Sequence, residues 1–458
     1  MNEPVLPSLL QEHALAIWQA GVEAVHPRRL LPQVVSLRGR VLRVGALRFP
    51  LEELGRLIVV GGGKASAAMA AALEGLLPEE LLERTTGWVN VPQDCLLPTR
   101  AVHLHPARPP GVNEPTPQAA QGTQRILELV ASAGEEDLVL VLLSGGASAL
   151  LPAPVPDISL EDKLAVTRFL SAAGANIRQL NTVRKALSRI KGGGLLRACR
   201  AGWLVGLVLS DVLGDPLDVI GSGPTVPESP SPQEALDVLR QFDPEEKHLP
   251  PAIWHYLRQQ AQQPREEQEP ACRWRNMIVG NNATAVDAAG QKALELGYRP
   301  VMQSARQLEG AAEELGRHLA SVALTMAQDD AAPDCLVSGG EPTVTLPPPE
   351  VRGRGGRNQQ LVLAALEHFQ QKKADLAGVL LLSGGTDGED GPTDAAGAWV
   401  DARVMQRARD LGLDAADYLR RCDAYTFFEQ TGSLLKTGPT QTNVCDLRVV
   451  LVQREQRG

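Results

Sequence analysis

The chain has 458 residues, of which 43% are hydrophobic and 22% charged, a balance typical of globular proteins that bury a large core. A formal net charge of −9 argues against general binding to nucleic acids or acidic membranes, and an aromatic content of 3% argues against a base-stacking surface. Six cysteines without C-x-x-C spacing indicate reduced, buried thiols in a cytoplasmic protein. At roughly 100–200 residues per domain, the length predicts two or three domains.

Neither secretion nor a membrane span is expected. The N-terminal segment carries acidic residues and no basic n-region of a secretory signal. The uncharged stretch 138–156 is interrupted by glycine, serine and proline, which fits a buried strand followed by a loop better than a spanning helix.

Taken in chain order, apolar segments that end in small-residue loops predict an α/β fold. A predicted helix over 12–25 is followed by predicted strands, each ending before a loop of glycine or small polar residues: 57–60, 138–143, 204–209, 277–279, 335–337 and 379–382. Uninterrupted apolar strands that alternate with helices are typical of parallel sheets covered on both faces. Ligands of such sheets bind beyond the carboxyl ends of the strands, where these loops lie.

A change in composition marks the predicted domain boundary. Residues 223–233 are rich in proline, and residues 248–270 are rich in proline, glutamine and glutamate. We predict an N-terminal Rossmann-like α/β domain over 1–230, a linker or helical region over 231–275, and a C-terminal α/β domain over 276–458. Mainly parallel sheets around an interdomain cleft are expected.

The first basic glycine turn, Gly61 to Lys64, lies between a predicted strand and a predicted helix. Glycines let an anion approach the backbone at the start of a helix, and a lysine adds a point charge. The spacing gives neither the G-x-x-x-x-G-K-[ST] loop nor a complete G-x-G-x-x-G fingerprint. A phosphate site and a tight surface turn both remain open.

A second basic segment contains Arg184, Lys185, Arg189 and Lys191 and precedes three glycines. Lys185 and Arg189 are four residues apart, so they share a helix face. The segment is therefore either a solvated basic face or a phosphate site.

A third basic segment, residues 353–358, contains Arg357 and Asn358 at the start of a predicted helix. Arginine binds carboxylate or phosphate groups through two parallel hydrogen bonds. A flexible hairpin turn would explain the glycines of this segment, but not the arginine and asparagine.

Carboxylates follow two other predicted strands. Asp211 follows strand 204–209 and precedes the loop that holds Ser222 and Thr225, and Asp387 opens a loop with four carboxylates. Such groups act as general bases or hold Mg²⁺, although Asp-Gly clusters more commonly form turns. Basic and acidic loops that meet at strand ends favour an anionic ligand with a divalent metal, which is the arrangement of phosphoryl transfer.

The chain resembles the class II glycerate kinases, two-domain glycerate 2-kinases with a C-terminal MOFRL domain, from about residue 10 to 452. The resemblance rests on ordered strings: VVGGGKASAAMA (59–70), LLSGGASALL (142–151), NTVRKALSRIKGGGL (181–195), LSDVLGDPLDVIGSGPTVP (209–227), SGGEPTVTL (338–346), GRGGRNQQL (353–361), LSGGTDGEDGPTDAAGAWVD (382–401) and TGPTQTNVCDL (437–447). It implies two α/β domains around a deep cleft, unrelated to P-loop folds. It also implies phosphorylation of D-glycerate to 2-phosphoglycerate with ATP and Mg²⁺.

The resemblance implies functional positions at Lys64, Asp211, Glu341, Arg357, Asp387 and Asn443. We predict catalytic roles for Lys64, Asp211 and Arg357, and Mg²⁺ binding by Asp387 and Glu341. Substrate or nucleotide contacts are predicted for Gly62, Gly63, Ser144, Gly145, Gly146, Arg184, Lys191, Ser222, Thr225, Glu341, Asn358 and Asn443. One departure from the family motif is Gln441, which stands where a second glycine is expected.

The alternative function is an NAD(P)H-dependent hydroxypyruvate reductase, a name that some relatives carry. The sequence disfavours it, because no complete dinucleotide fingerprint is present and no acidic ribose-binding residue is evident about twenty positions beyond Lys64. A non-catalytic binding protein is disfavoured by the intact lysine, aspartate and arginine positions. The expected partners are D-glycerate and ATP, with no nucleic acid and no membrane, for a cytoplasmic monomer or homodimer.

Overall fold

The computed structural model describes residues 8–112, 114–228, 230–263 and 269–453. Contacts within the chain define two units. The terminal unit comprises Met1–Arg29 and Gly280–Gly458, and the central unit comprises Leu30–Val279. No helix in the described ranges is long and apolar enough to span a bilayer.

Helices and strands alternate along most of the described chain. The strands are β1 (Val35–Arg38), β2 (Val41–Val44), β3 (Leu47–Pro50), β4 (Leu57–Gly62), β5 (Thr85–Pro92), β6 (Val102–Arg108), β7 (Leu138–Leu143), β8 (Trp203–Leu209), β9 (Arg273–Gly280), β10 (Pro300–Ser304), β11 (Cys335–Gly340), β12 (Val379–Gly385), β13 (Gly397–Val400), β14 (Leu434–Leu435) and β15 (Asp446–Val452). The helices are α1 (Leu9–Ala24), α2 (Pro27–Val34), α3 (Ser66–Glu74), α4 (Glu79–Leu82), α5 (Pro117–Ala131), α6 (Ala147–Leu150), α7 (Leu160–Ala172), α8 (Ile177–Ala186), α9 (Gly194–Ala198), α10 (Pro232–Phe242), α11 (Pro251–Gln262), α12 (Asn282–Glu295), α13 (Ala312–Gln328), α14 (Arg357–Gln371), α15 (Ala402–Asp410), α16 (Ala415–Arg420) and α17 (Ala424–Thr431).

The central unit contains a six-stranded sheet in the order β6-β5-β4-β7-β8-β9. Strands β4 to β8 pair in parallel, as the sequence predicts. β4 and β7 are buried along their whole length, because helices cover both faces of a parallel sheet. Gly62 pairs with Leu143, so the loops that follow β4 and β7 leave the same sheet edge side by side. A separate antiparallel sheet, β1-β2-β3, belongs to this unit and was not predicted.

The terminal unit contains a six-stranded sheet in the order β10-β11-β15-β12-β13-β14. Only β10 and β11 pair in parallel, and the other four pairings are antiparallel. The α/β class is confirmed, but the expectation of a mainly parallel sheet is wrong for this unit. The reason is the last strand, β15, which inserts antiparallel between β11 and β12 and bonds to both.

The N-terminal helix packs in the terminal unit rather than in the predicted N-terminal domain. Ile17 and Trp18 of α1 are buried with residues of α12 and β15. The Trp18 indole Nε1 also donates a hydrogen bond to the carbonyl of Gly384, at 3.3 Å. These contacts place α1 in the terminal unit, whereas the sequence predicted it within domain 1–230.

The expected linker, 231–275, is largely helical and packed. α10 and α11 bury Leu236, Leu239, Ile253 and Trp254 in a cluster shared with α7 and α8 of the central unit. Strand β9 then joins the edge of the central sheet. Helices were expected in this region, and two of its prolines, Pro232 and Pro251, stand at the first positions of α10 and α11, where proline is tolerated.

Candidate active site

Two loops at the edge of the central sheet interlock. Gly61 and Gly63 have φ angles of +149° and +151°. A Cβ atom at Gly61 would collide with the carbonyl of Leu142, and one at Gly63 would collide with Ser144. The backbone N–H of Lys64 donates to the carbonyl of Gly145 at 2.8 Å. Glycine is therefore required where the β4 turn lies against the β7 loop.

The predicted residue Ser144 holds the two loops together. Its hydroxyl accepts a hydrogen bond from the backbone N–H of Ala65 at 3.0 Å and lies 3.1 Å from the hydroxyl of Ser66. The side chain of Ser144 is buried. Its contacts place it as a loop anchor that supports Lys64.

Two cationic side chains, those of Lys64 and Arg108, lie beside the loop formed by residues 144–148. An atom at the Cβ position of Gly146 would be 3.8 Å from Cγ of Lys64 and 3.6 Å from Nη2 of Arg108. Gly146 has a φ of +79°, which favours glycine. The loop thus brings Lys64 next to Arg108, a cation that the sequence analysis did not identify.

Lys191 approaches the same loop and is buried. Its Nζ donates to the carbonyl and the hydroxyl of Ser148, both at 2.7 Å, and lies 3.4 Å from the hydroxyl of Ser222. Burial lowers the pKa of Lys191 well below its ordinary value, and the charges of Lys163 and Arg184 lower it further. The solvated-face interpretation is therefore wrong for Lys191, and the structure brings it together with the predicted Ser222.

Three other predicted residues of the central unit, Asp211, Arg184 and Thr225, differ in their burial and contacts. Asp211 follows β8 and is half-buried. Arg184 lies on α8, and burial lowers the pKa of its guanidinium. Thr225 is buried, and its carbonyl accepts a hydrogen bond from the side chain of Asn276 at 3.0 Å. The contact of Thr225 fixes its loop against β9.

The terminal sheet collects its predicted residues at one edge. Gly340 at the end of β11 and Gly385 at the end of β12 both pair with Asp446, the first residue of β15. Glu341 and the loop holding Asp387 follow these two glycines directly. The register therefore places Glu341 and the Asp387 loop on either side of Asp446.

Arg357, at the start of α14, has a carboxylate on each side. Its Nε and Nη2 donate to the two oxygens of Asp446 at 2.8 and 3.0 Å, and its Nη1 lies 2.9 Å from Glu341. The side chain of Asn358 also donates to Asp446 at 2.9 Å. Although burial lowers the pKa of Arg357, Asp446 raises it above its ordinary value. One edge of the guanidinium is thus committed to Asp446, and the opposite edge faces Glu341.

A second buried carboxylate, Asp390, caps the same helix. It accepts hydrogen bonds from the backbone N–H groups of Asn358 and Gln359 at 3.0 and 2.8 Å. Burial raises the pKa of Asp390 to about 7, against the opposing effect of these hydrogen bonds. Asp390 therefore holds the backbone of the α14 N-terminus that carries Arg357 and Asn358.

The Asp387 loop docks on the loop that carries Asn443. The Thr386 hydroxyl donates to the carbonyl of Cys445 at 2.6 Å, and the backbone N–H of Thr440 donates to the carbonyl of Asp387 at 3.2 Å. The side-chain oxygen of Asn443 accepts from the N–H of Cys445 at 3.3 Å. Gln441 has a φ of +61°, so this departure from the family glycine is held in a conformation that favours glycine.

The charges in this cluster bear on metal binding. In the described ranges, no group of three or more histidine, cysteine, aspartate or glutamate side chains is arranged to hold a metal. Magnesium usually takes one or two protein carboxylates together with substrate phosphates and water. Burial raises the pKa of Glu341, and the charges of Asp446 and Asp387 raise it further while Arg357 lowers it. A cation beside Glu341 and Asp387 would relieve this repulsion, so the pair fits a magnesium bound jointly with a nucleotide.

Sequence reasoning missed Asp446 and Asp390 as site residues, although both lie in the strings that carry the resemblance. Asp446 is completely buried and is the first residue of β15, a strand that is buried along its whole length. A carboxylate at that position needs a charged or polar partner. That requirement was the available signal for its pairing with Arg357.

Comparisons with known proteins match both units. Residues 13–258 match a domain of unknown function (DUF4147), and residues 334–446 match the MOFRL family. Glycerate kinase of Danio rerio is 37% identical over 97% of this chain and 98% of that protein. A protein of Agrobacterium vitis with the provisional name of a hydroxypyruvate reductase is 39% identical over 88% of this chain and 89% of that protein. The crystal structure of glycerate kinase from Thermotoga maritima matches with a TM-score of 0.80 and 34% identity, covering 98% of this chain and all of that one.

Proposed function

This chain belongs to the glycerate kinase family, and we propose that it transfers the terminal phosphoryl group of ATP to D-glycerate, giving 2-phosphoglycerate and ADP. The observation that carries the proposal is the 144–148 loop, which has Lys64 beside Gly146 and Lys191 bonded to Ser148. Phosphoryl transfer requires such cations, because negative charge spreads over the oxygens of the transferring group. The loop is built by glycines, which let phosphate oxygens approach its backbone.

Lys64 is proposed to stabilise the transferring phosphoryl group. Its backbone is fixed by the hydrogen bond to Gly145, so the stem of its side chain starts from a fixed point beside the loop. Asp211 is proposed to accept the proton of the glycerate hydroxyl. The hydroxyl oxygen then attacks the terminal phosphorus, and the bond between that phosphorus and the ADP oxygen breaks.

Arg357 is proposed to bind the carboxylate of glycerate through the edge that faces Glu341. The opposite edge is held by Asp446, so the guanidinium plane has a fixed orientation. Glu341 and Asp387 would hold Mg²⁺, which neutralises phosphate charge when bound. If Glu341 held that ion instead of Arg357, the Nη1 group of Arg357 would be available to the substrate.

The proposal is tested by two parallel assays on the purified protein, one with ATP, Mg²⁺ and D-glycerate and one with NADH and hydroxypyruvate. We expect glycerate-dependent release of ADP and no oxidation of NADH. Lys64→Ala should lower kcat by about 100- to 1000-fold, the usual effect of losing one preorganised charge-stabilising group. NADH oxidation without ADP release would overturn the proposal in favour of the reductase that the Agrobacterium vitis name suggests.

A further inference from the structure

Helices α7 and α8 pack against each other through apolar residues, and each also places one cationic side chain in this interface, which we call the α7–α8 seam. Lys163 lies one turn before Val166 and two turns before Leu170, and Arg184 follows Leu180 and Val183 on α8. Together these residues line a small cavity. Residues three, four and seven apart lie on one helix face, where a buried seam favours apolar side chains. Two cations at such positions therefore need an explanation other than packing.

Lys163 has no partner for its charge. Its side chain is 9% exposed, and its Nζ is buried without a hydrogen bond. The amine therefore does not reach water at the end of its apolar stem, as exposed lysines do. Burial, together with the charge of Arg184, lowers the pKa of Lys163 to about 7.

The neighbouring cations have no carboxylate partner either. No ion pair joins Arg184 or Lys191 to an acidic residue within the described chain, and the three hydrogen bonds of the Lys191 amine go to uncharged oxygens of Ser148 and Ser222. The nearby Asp218 pairs instead with Lys185, at 3.7 Å. Lys163 and Lys191, which are buried, and Arg184, which is half-buried, thus form a cationic group without a counter-ion among the described residues.

We propose that Lys163, Arg184 and Lys191 form an oxyanion site that binds a phosphate group, which, resting on the proposed function, is a phosphate of the nucleotide. Three cations suit a group that carries more than one negative charge, and the hydroxyls of Ser148 and Ser222 beside Lys191 can donate to its oxygens. The cavity is lined by Lys163 and Arg184 together with mainly apolar side chains, but not by Lys191, and its volume of about 10 Å³ admits roughly one water-sized atom. One phosphate oxygen therefore enters the cavity while the remaining oxygens stay outside it.

The site is continuous with the loop that carries the proposed function. Ser148, which binds Lys191, lies three residues after Gly145, which binds the backbone of Lys64. A phosphate chain along residues 144–148 would meet Lys64 and Lys191 in turn. Lys163 is therefore assigned as a binding residue that no sequence motif indicated.

The test uses the full-length protein and Lys163→Met, which keeps the side-chain length and removes the charge in an apolar seam. Thermal unfolding is followed at fixed ionic strength with added inorganic phosphate, ADP or D-glycerate. Lys247→Met is the control, because Lys247 is a solvent-exposed lysine of the same unit that pairs with Glu245. We expect phosphate and ADP to stabilise the wild type and the control, and to bind Lys163→Met about tenfold or more weakly. Without ligand, Lys163→Met should unfold at an equal or higher temperature than the wild type.

Four outcomes overturn the proposal. The first is equal stabilisation of Lys163→Met and wild type by phosphate, and the second is no stabilisation of the wild type by phosphate or ADP. The third is a Lys163→Met variant in which only D-glycerate binds more weakly than in the wild type. The fourth is a Lys163→Met variant that is less stable than the wild type without ligand but binds phosphate equally well. The last result would show a structural role for Lys163. A protein that binds phosphate through Lys163 but releases no ADP with glycerate would support the oxyanion site and overturn the proposed kinase function instead.

Discussion

Each edge of the Arg357 guanidinium has a different partner. Asp446 is completely buried and binds the Nε and Nη2 groups, while the more exposed Glu341 faces Nη1. A buried carboxylate with several hydrogen bonds is a fixed support, whereas a partly exposed one can exchange partners. The side chain therefore combines a fixed orientation with one edge that a substrate carboxylate can occupy.

Arg357→Lys should raise the KM for D-glycerate about tenfold or more, while the KM for ATP changes little. Lysine keeps the charge but cannot bond to Asp446 and the substrate in two fixed directions. Steady-state kinetics with each substrate varied in turn provide the measurement. Asp446→Asn is the companion variant. It should raise the same KM, because it weakens the two hydrogen bonds that orient the Arg357 guanidinium without removing Arg357. A selective rise in the KM for ATP would move Arg357 to the phosphate site.

Asp387→Asn should raise the Mg²⁺ concentration required for half-maximal activity. The change removes one of the two carboxylates proposed to hold the ion, and the amide that replaces it is a weaker ligand for a hard cation. A Mg²⁺ titration of initial rates provides the test, with Asp394→Asn, an exposed carboxylate of the same loop, as the control. An unchanged Mg²⁺ dependence would show that Asp387 forms part of a turn and does not bind the ion.

Lys163 predicts a pH-dependent stability. Because burial lowers its folded pKa from 10.5 to about 7, protonation opposes folding. The destabilisation is complete below pH 7, falls as pH rises above 7, and is lost near pH 10.5. The charge of Arg184 lowers the same pKa. In phosphate-free buffer, the stability gained by Lys163→Met should be on the order of 2 kcal/mol smaller at pH 9 than at pH 6. Denaturant unfolding at both pH values checks this, and a pH-independent difference would contradict a buried, titrating amine.

At the scale of elements, Trp18 is a large contact between helix α1 and the core of the terminal unit. Trp18 is 1% exposed, packs in the core of the terminal unit and bonds to the end of β12. Trp18→Ala should therefore lower the unfolding free energy of that unit by about 3–5 kcal/mol, the usual range for a buried large aromatic. Trp274→Ala, at a tryptophan that is 40% exposed, is the matched control and should cost less than about 1 kcal/mol. Equal losses in denaturant unfolding would contradict the placement of α1.

The sequence predicted the positions of helices and strands better than it predicted which of them pair or pack with one another. The glycine turns after β4 and β7 were recognised, because an apolar strand followed by glycines and a helix is a local pattern. The direction of β15 was not predicted, since a strand buried on both faces is apolar in either orientation. The unit to which α1 belongs was also beyond local patterns, because its partners α12 and β15 lie more than 250 residues away in sequence.

The candidate site was predicted to a similar degree. Lys64, Glu341, Arg357 and Asp387 stand beside glycines at strand ends, so composition and resemblance indicated them. Asp446 and Lys163 were missed, since their significance depends on a burial that only the fold reveals. In both cases the informative feature is a charged side chain that the fold buries.

At the scale of the whole molecule, the two units divide the charged groups. The central unit supplies Lys64, Lys191 and the cations of the α7–α8 seam, while the terminal unit supplies Arg357 with the carboxylates around it. Both groups are required by the proposed reaction, because one substrate brings phosphates and the other brings a carboxylate. The proposed function therefore depends on residues from both halves of the chain.

The most direct test of this account is NMR of uniformly ¹³C-labelled D-glycerate incubated with the protein, ATP and Mg²⁺. The account predicts that glycerate is converted to a product whose carbon 2 carries the phosphate, seen as phosphorus coupling centred on that carbon. The conversion should be strongly slowed in Lys64→Ala. Glycerate that stays unphosphorylated with the wild-type protein, in a preparation that reduces hydroxypyruvate with NADH, would contradict the account.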